Sequence, residues 1–308
     1  MKSRHFISIA DVPQDDLLEI FSVTEQQKYQ LATEGRLAPT LRGRTLAMLF
    51  EKPSLRTRVS FEVGMTQLGG HVTTLGQNEV SLGQRESVTD FARVLSRYVD
   101  VIAARVFKHA HIVEMARGSR VPVINALSDY THPCQALADL WTVKEHKGRW
   151  EGLKLVFVGD GNNVARSLAF LCSRLGLKFG LVGPGDYLFD DATVKKVHAR
   201  AVHPKFAFEM GTDPKRILRG ADIVYTDVWA SMGQESEQAV RRKAFAAYQL
   251  NRSLLRLARR DAIVMHCLPA HRGEEITEDV IDGPHSVVYD QAENRLHTQR
   301  ALLSLLVA

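Results

Sequence analysis

Two hydroxyls and two arginines crowd into one short segment, Ser54-Leu55-Arg56-Thr57-Arg58. It lies between an apolar run, Thr45–Phe50, and a stretch of helical spacing over 55–68. The first turn of a helix exposes unpaired N–H groups and a partial positive charge, so a phosphate fits there with little further help. Ser54 and Thr57 add hydroxyl donors, and Arg56 adds a two-pronged guanidinium. The competing reading is a capped helix with a basic surface turn. His132-Pro133-Cys134-Gln135 opens a second helical stretch, and His132 and Gln135, three residues apart, share a face. An imidazole and a carboxamide there can grip a polar substrate atom, although a single histidine at a helix start also serves as a cap or a surface residue.

Three further groups follow apolar runs. Gly159-Asp160-Gly161-Asn162-Asn163 resembles a dinucleotide turn but lacks the last glycine of that pattern. The next run ends in Gly183-Pro184 rather than in an acid that would hold a ribose, so a tight turn delivering Asn163 to a cleft is the better reading. Asp227-Val228-Trp229-Ala230-Ser231-Met232-Gly233 and His266-Cys267-Leu268-Pro269 both sit where strands end. Ligand crevices of open α/β sheets lie beyond the carboxyl ends of strands. Asp227 can bind an ammonium group, whereas Cys267 reads equally as a tuned thiol or a buried apolar filler.

These groups need a scaffold, and the pattern supplies one. Apolar runs at 45–50, 99–104, 121–125, 153–158, 178–182, 223–226 and 263–266 alternate with helical stretches at 55–68, 132–147, 164–175 and 293–307. Alternation of this kind predicts α/β layering with parallel sheets, and 308 residues allow two domains. Gly148 and Gly152 punctuate the point where the pattern restarts.

Composition narrows the classes. No apolar run approaches the ~20 residues of a membrane span, and the N-terminal segment lacks the apolar core of a secretory signal, which predicts a cytoplasmic location. Three scattered cysteines without CxxC spacing argue against a disulfide framework and a zinc cluster. Twelve histidines show no metal-ligand spacing. A net charge of +5 is too small and too evenly spread for nucleic acid, and it suits an anionic substrate. The basic runs Arg241-Arg242-Lys243 and Arg259-Arg260 read as solvated faces.

Taken in order over the whole chain, the five groups resemble the aspartate/ornithine carbamoyltransferase family. Ser54-Leu55-Arg56-Thr57-Arg58 is similar to its carbamoyl phosphate signature, with Leu55 where Thr is usual and only the backbone N–H left to donate. His132-Pro133-Cys134-Gln135 is similar to its His-Pro-x-Gln element, and Arg105 falls where the family places a carbonyl-binding arginine. Asp227 with Ser231-Met232-Gly233, and His266-Cys267-Leu268-Pro269, resemble the ornithine branch. The resemblance implies two doubly wound domains linked by two interdomain helices. Residues 1–133 and 290–308 would bind carbamoyl phosphate, and 134–289 would bind L-ornithine. It also implies a homotrimer with sites between subunits, in which a loop near Ser81 reaches into the neighbour's site.

The resemblance further implies roles. Ser54, Leu55, Arg56 and Thr57 hold the phosphate, joined by Ser81 and by Arg295 of the last helix. Arg105, His132 and Thr57 hold the carbonyl oxygen, while Gln135 and the Leu268 carbonyl take the carbamoyl NH2. Asn163, Asp227, Ser231 and Met232 orient ornithine, and Cys267 lies near the attacking amine. No metal or organic cofactor is expected, since the leaving group is already activated. A non-catalytic binding protein of the same fold, or a carbamoyltransferase for a related amine such as putrescine, are the alternatives.

Overall fold

The computed structural model describes residues 1–76, 79, 82–230 and 235–307. The chain divides into two compact units, Met1–Trp141 with Glu293–Ala308, and Thr142–Ala292. The divisions fall inside two helices, α5 (Pro133–Lys147) and α12 (Val288–Val307), which each run from one unit into the other.

The first unit holds a four-stranded parallel sheet in the order β2-β1-β3-β4, formed by β1 (Thr45–Phe50), β2 (His71–Leu75), β3 (Val101–Arg105) and β4 (Val123–Leu127). Helices α1 (Gln14–Glu34), α2 (Leu55–Gln67), α3 (Val88–Leu95) and α4 (His109–Gly118) accompany it. Strands covered on both faces read as continuous apolar runs rather than as alternation, and β1 and β3 do so. On one face Leu49, Ile102 and Ala104 pack with Ala92, Ile112 and Met115 from α3 and α4. The Ser54 hydroxyl caps α2 by accepting the Thr57 N–H at 3.3 Å.

The second unit holds a five-stranded parallel sheet, ordered β7-β6-β5-β8-β9. Its strands are β5 (Lys154–Val158), β6 (Lys178–Val182), β7 (Ala207–Gly211), β8 (Ile223–Thr226) and β9 (Ile263–His266). The helices are α6 (Asn163–Leu175), α7 (Asp191–Ala199) and α9 (Gln238–Phe245), with single turns α8 (Pro214–Ile217), α10 (Arg252–Leu255) and α11 (Glu278–Ile281). Val156, Val224 and Val264 point into a core closed by Ile217, Leu218 and Val280. On β5 and β8, Phe157 and Tyr225 stack with ring centroids 5.2 Å apart.

The sequence-predicted strands at 99–104 and 121–125 begin two residues further on, at Val101 and Val123. Strands β2 and β7 were not predicted. Both lie at sheet edges and are mostly half-buried, so their side chains mix polar and apolar types and carry no continuous apolar signal.

One turn in this scaffold tolerates only glycine. A Cβ on Gly183 would lie 2.3 Å from the carbonyl oxygen of Gly159, which is backbone and cannot swing aside. A Cβ on Gly185 would meet nothing nearer than Thr212 at 3.9 Å. Gly183→Ala should therefore lower stability by about 2–3 kcal/mol, an overpacking cost, and Gly185→Ala by under ~0.5 kcal/mol. Urea denaturation of both variants checks this, and equal midpoints would contradict it.

Candidate functional site

In each unit the strand order reverses once, between β1 and β3 in the first and between β5 and β8 in the second. Successive crossovers leave in opposite directions there, so the carboxyl ends of the two strands border a crevice. Ser54–Thr57 and Arg105 lie at the first point and Asn163 and Asp227 at the second, while His132 follows the edge strand β4 and Cys267 the edge strand β9.

In the first unit, Ser54 Oγ lies 3.0 Å from Thr57 Oγ1, and the fully buried Thr57 Oγ1 accepts a 2.7 Å hydrogen bond from Arg295 Nη2. The last helix thus places a guanidinium at the start of α2. Arg105 is the final residue of β3 rather than the residue after it. Its carbonyl accepts the Glu51 N–H at 2.9 Å, and Glu51 Oε2 in turn accepts the Phe107 N–H at 2.7 Å, so the exits of β1 and β3 are stitched together. A cavity of about 330 Å³ opens at the β1–α2 turn, lined by Phe50, Ser54, Leu55, Arg58, Thr74 and Gly76. Arg58 is held by Glu62 at 2.9 Å, whereas Arg56 is half-buried and has no ion pair among the described residues.

Burial holds the His132 imidazole well below its ordinary value of 6.5, and the charges of Arg295 and Arg105 push it the same way. It is neutral near pH 7 and donates from one ring nitrogen only. Gln135 gives its amide N–H to Asp139 Oδ1 at 2.8 Å, and among the described residues its buried Oε1 accepts no hydrogen bond. The arrangement combines fixed positive charge, a helix N-terminus and a neutral imidazole. It can hold an anion and polarise a carbonyl beside it.

In the second unit, Asp227 follows β8 and is 8% exposed. Its Oδ1 accepts from Cys267 Sγ at 3.0 Å and from the Val228 N–H at 2.8 Å, and its Oδ2 accepts from Asn162 Nδ2 at 2.8 Å. The Asn162 Oδ1 caps α6 by accepting from Val164 and Ala165. Asn162, the residue before the expected Asn163, therefore ties the β5 turn to Asp227. Sequence carried a signal for this, since Asn before an apolar helix is a favoured cap.

Cys267 is half-buried, while Cys134 and Cys172 are buried, and burial pushes the Cys134 thiol up to about 12. Ligand atoms of Asp227, His266 and Cys267 lie within 4.8 Å of one another, a spacing that suits a metal ion. Both ring nitrogens of His266 are engaged, however. Nδ1 accepts the Leu268 N–H at 2.9 Å, and Nε2 faces Glu275 Oε1 at 3.1 Å. A metal would have to displace one of these bonds. The same bonds hold Leu268 in the left-handed region, with φ of 56°.

Arg241 corrects the reading of its basic run as a solvated face. Only 6% exposed, it pairs with Asp160 at 2.7 Å and Glu237 at 2.8 Å and donates to the Trp229 carbonyl at 3.0 Å. Its guanidinium lies 4.9 Å from the centre of the Tyr187 ring. Burial pushes the Asp160 carboxyl up, against the pull of Arg241. This pair locks the exit loops of β5 and β8 together. The i,i+4 spacing of Glu237 and Arg241 was the available signal. Ser81, Ser231 and Met232 lie outside the described residues.

Two parallel α/β units, one holding a cationic pocket at a helix N-terminus and the other a pinned carboxylate beside a thiol, define a two-substrate transferase scaffold. Residues 4–145 match the carbamoyl-P binding domain of aspartate/ornithine carbamoyltransferases, and residues 151–306 match the Asp/Orn binding domain. The chain belongs to the aspartate/ornithine carbamoyltransferase family. It is 49% identical over 307 residues to the ornithine carbamoyltransferase of Thermococcus kodakarensis, covering 100% of this chain and 97% of that one. It is 50% identical over 291 residues to the anabolic ornithine carbamoyltransferase of Pyrococcus furiosus, covering 94% and 92%. A solved ornithine carbamoyltransferase from Pyrococcus furiosus superposes with a TM-score of 0.95 at 48% identity, covering 99% and 97% of the chains.

The state of His132 makes stability depend on pH. Above 6.5 the imidazole is neutral in both folded and unfolded chains. Below it, the unfolded chain takes up a proton that the folded site refuses, so stability falls with pH. Between pH 6 and pH 5 the native chain should lose about 1 kcal/mol more than His132→Gln, by denaturant titration at each pH. Parallel losses would show that His132 is protonated in place.

Proposed function

We propose that this protein transfers the carbamoyl group of carbamoyl phosphate to the δ-amine of L-ornithine, giving L-citrulline and phosphate. The observation that carries the reading is the pair of switch-point sites, one cationic at the start of α2 and one built on Asp227 and Cys267. Names of full-length relatives at about half identity support the amine acceptor.

In this mechanism Ser54, Arg56, Thr57 and Arg295, with the Leu55 N–H, hold the phosphate of the leaving group. Arg105, His132 and Thr57 stabilise the carbonyl oxygen as charge builds on it; loss of one such donor typically costs ~3–4 kcal/mol of transition-state stabilisation. The open acceptor Oε1 of Gln135 suits the carbamoyl NH2. The δ-amine is mostly protonated at neutral pH, with a lysine-like value near ~10.4. Its proton passes to Cys267 Sγ as the thiol proton passes to Asp227 Oδ1, along the 3.0 Å bond between them. The neutral amine then attacks the carbonyl carbon, and as the C–O bond to phosphate breaks the leaving phosphate takes the amine's second proton. Asn163, Asp227, Ser231 and Met232 orient the substrate's amino-acid end.

The same reading includes a homotrimer acting in the cytoplasm in the direction of arginine synthesis. On α2, Leu55, Val59 and Val63 are all exposed and one turn apart, an apolar row suited to a second copy. No described helix is long and apolar enough to cross a membrane. The word anabolic in the name of one relative supports the direction.

The direct test mixes carbamoyl phosphate with ornithine, putrescine, acetylornithine and aspartate in turn and measures the ureido product. Ornithine should be preferred by at least a hundredfold in kcat/KM, and preference for another amine would overturn the assignment. Cys267→Ser should lower turnover and raise the KM for ornithine, with less change for carbamoyl phosphate. Thiol reagents should modify Cys267 first, identified by peptide mapping, because Cys134 and Cys172 are buried. Unchanged kinetics together with labelling elsewhere would remove Cys267 from the reaction.

A further inference from the structure

The second basic run, Arg259-Arg260, is exposed as the sequence suggested, but its face is not flat. It borders a cavity of about 460 Å³ in the second unit, together with Arg252, Arg256 and His285. Leu255, Ala258, Val280 and Pro284 supply apolar lining. Four guanidiniums thus surround a pocket whose other walls are hydrocarbon.

The carboxylates nearby do not use up this charge. Asp279, which also lines the cavity, pairs with Arg252 at 2.6 Å. Arg259 pairs with Asp222 at 3.2 Å and Asp261 at 3.3 Å. Among the described residues, Arg256 and Arg260 have no ion pair, and both are exposed. The His285 Nδ1 is committed to the Ala262 carbonyl at 3.0 Å, which fixes the ring at the cavity wall and leaves Nε2 as its other polar atom.

This cavity is separate from the catalytic residues of the same unit. Its lining comes from residues 252–260, which lead into β9, and from residues 279–285, which return to the start of β9, where His285 holds the Ala262 carbonyl. His266 and Cys267 lie at the other end of β9. Four strand residues at ~3.3 Å each put roughly 13 Å of sheet between the two ends. The segment after the cavity runs along the edge of β9, with the Val264 N–H given to the His285 carbonyl at 2.8 Å and the Val287 N–H to the Val264 carbonyl at 3.0 Å. The cavity wall is therefore part of the sheet and not a loose loop.

We propose that this cavity is a second ligand site, distinct from the carbamoyl-transfer machinery, for a small phosphorylated compound with an apolar body. Arg256 and Arg260 meet the phosphate oxygens, and the apolar lining takes the hydrocarbon part. Arginine suits this task because its planar fork offers paired donors to phosphate.

The test uses phenyl phosphate as the probe and calorimetry on the full chain, with the transfer site first saturated by a phosphonoacetyl derivative of ornithine. One phenyl phosphate should then bind per chain, at least tenfold more tightly than inorganic phosphate, with affinity falling as salt rises. The double variant Arg256→Ser/Arg260→Ser should weaken this binding at least tenfold while leaving carbamoyl transfer and the unfolding midpoint unchanged. Since both side chains are exposed, the variant should fold, and circular dichroism verifies it. Three results would overturn the proposal: no binding with the transfer site filled, equal binding of inorganic phosphate, or full binding by the double variant.

Discussion

A parallel sheet whose strand order reverses cannot close over its own carboxyl ends. Crossovers on the two sides of the reversal leave in opposite directions, and the main-chain dipoles of the following helices point their positive ends at the gap. Both units of this chain are built on that constraint, at β1/β3 and at β5/β8. In the first, the gap is bordered by the cap of α2 and by Arg105, so the local field favours an anion. In the second, the helix N-terminus is neutralised differently. Asn162 caps α6 with its oxygen and spends its amide on Asp227, so the carboxylate is held with a defined orientation. On the proposed reading, one topological device yields an anion site in one unit and a cation site in the other, according to which side chains the turns deliver.

Electrostatics then sharpens the difference. Removing His132 from water beside two arginines keeps it uncharged, so it can contribute a donor without adding to a site already rich in positive charge. Arg295 reaches the buried Thr57 hydroxyl, which links the last helix of the chain to the first turn of α2. In the second unit, the partly buried Arg241–Asp160 pair restrains the two exit loops that flank Asp227. Breaking one partner of such a pair leaves an uncompensated buried charge, which costs more than the pair itself contributes.

Much of this was legible in the sequence because the relevant signals are local. Seven described strands that are buried along almost their whole length, among them Thr45–Phe50 and Lys154–Val158, announce themselves as continuous apolar runs. The Ser54 cap and the motif after it mark a helix N-terminus directly. The edge strands His71–Leu75 and Ala207–Gly211 did not show, because half-burial admits polar residues and dilutes the pattern. Arg241 was misread because solvation and burial of a basic residue look alike until its partners, Asp160 and Trp229, are brought in from distant sequence. Asn162 was passed over for its neighbour Asn163 for the same reason. A cap is local, but the bond to Asp227 spans 65 residues.

The central claim is a division of labour, with the anion held by the first switch point and the amine substrate by the second. Calorimetric titration of inorganic phosphate into Arg56→Ala and into Asp227→Asn, each in the Arg256→Ser/Arg260→Ser background so that the second cavity does not contribute, tests it most directly. The account predicts that Arg56→Ala weakens phosphate binding at least tenfold and that Asp227→Asn leaves it within about twofold, a pattern expected when one charge-assisted contact of ~1.5–3 kcal/mol is removed. Equal weakening by both substitutions, or none by Arg56→Ala, would contradict it.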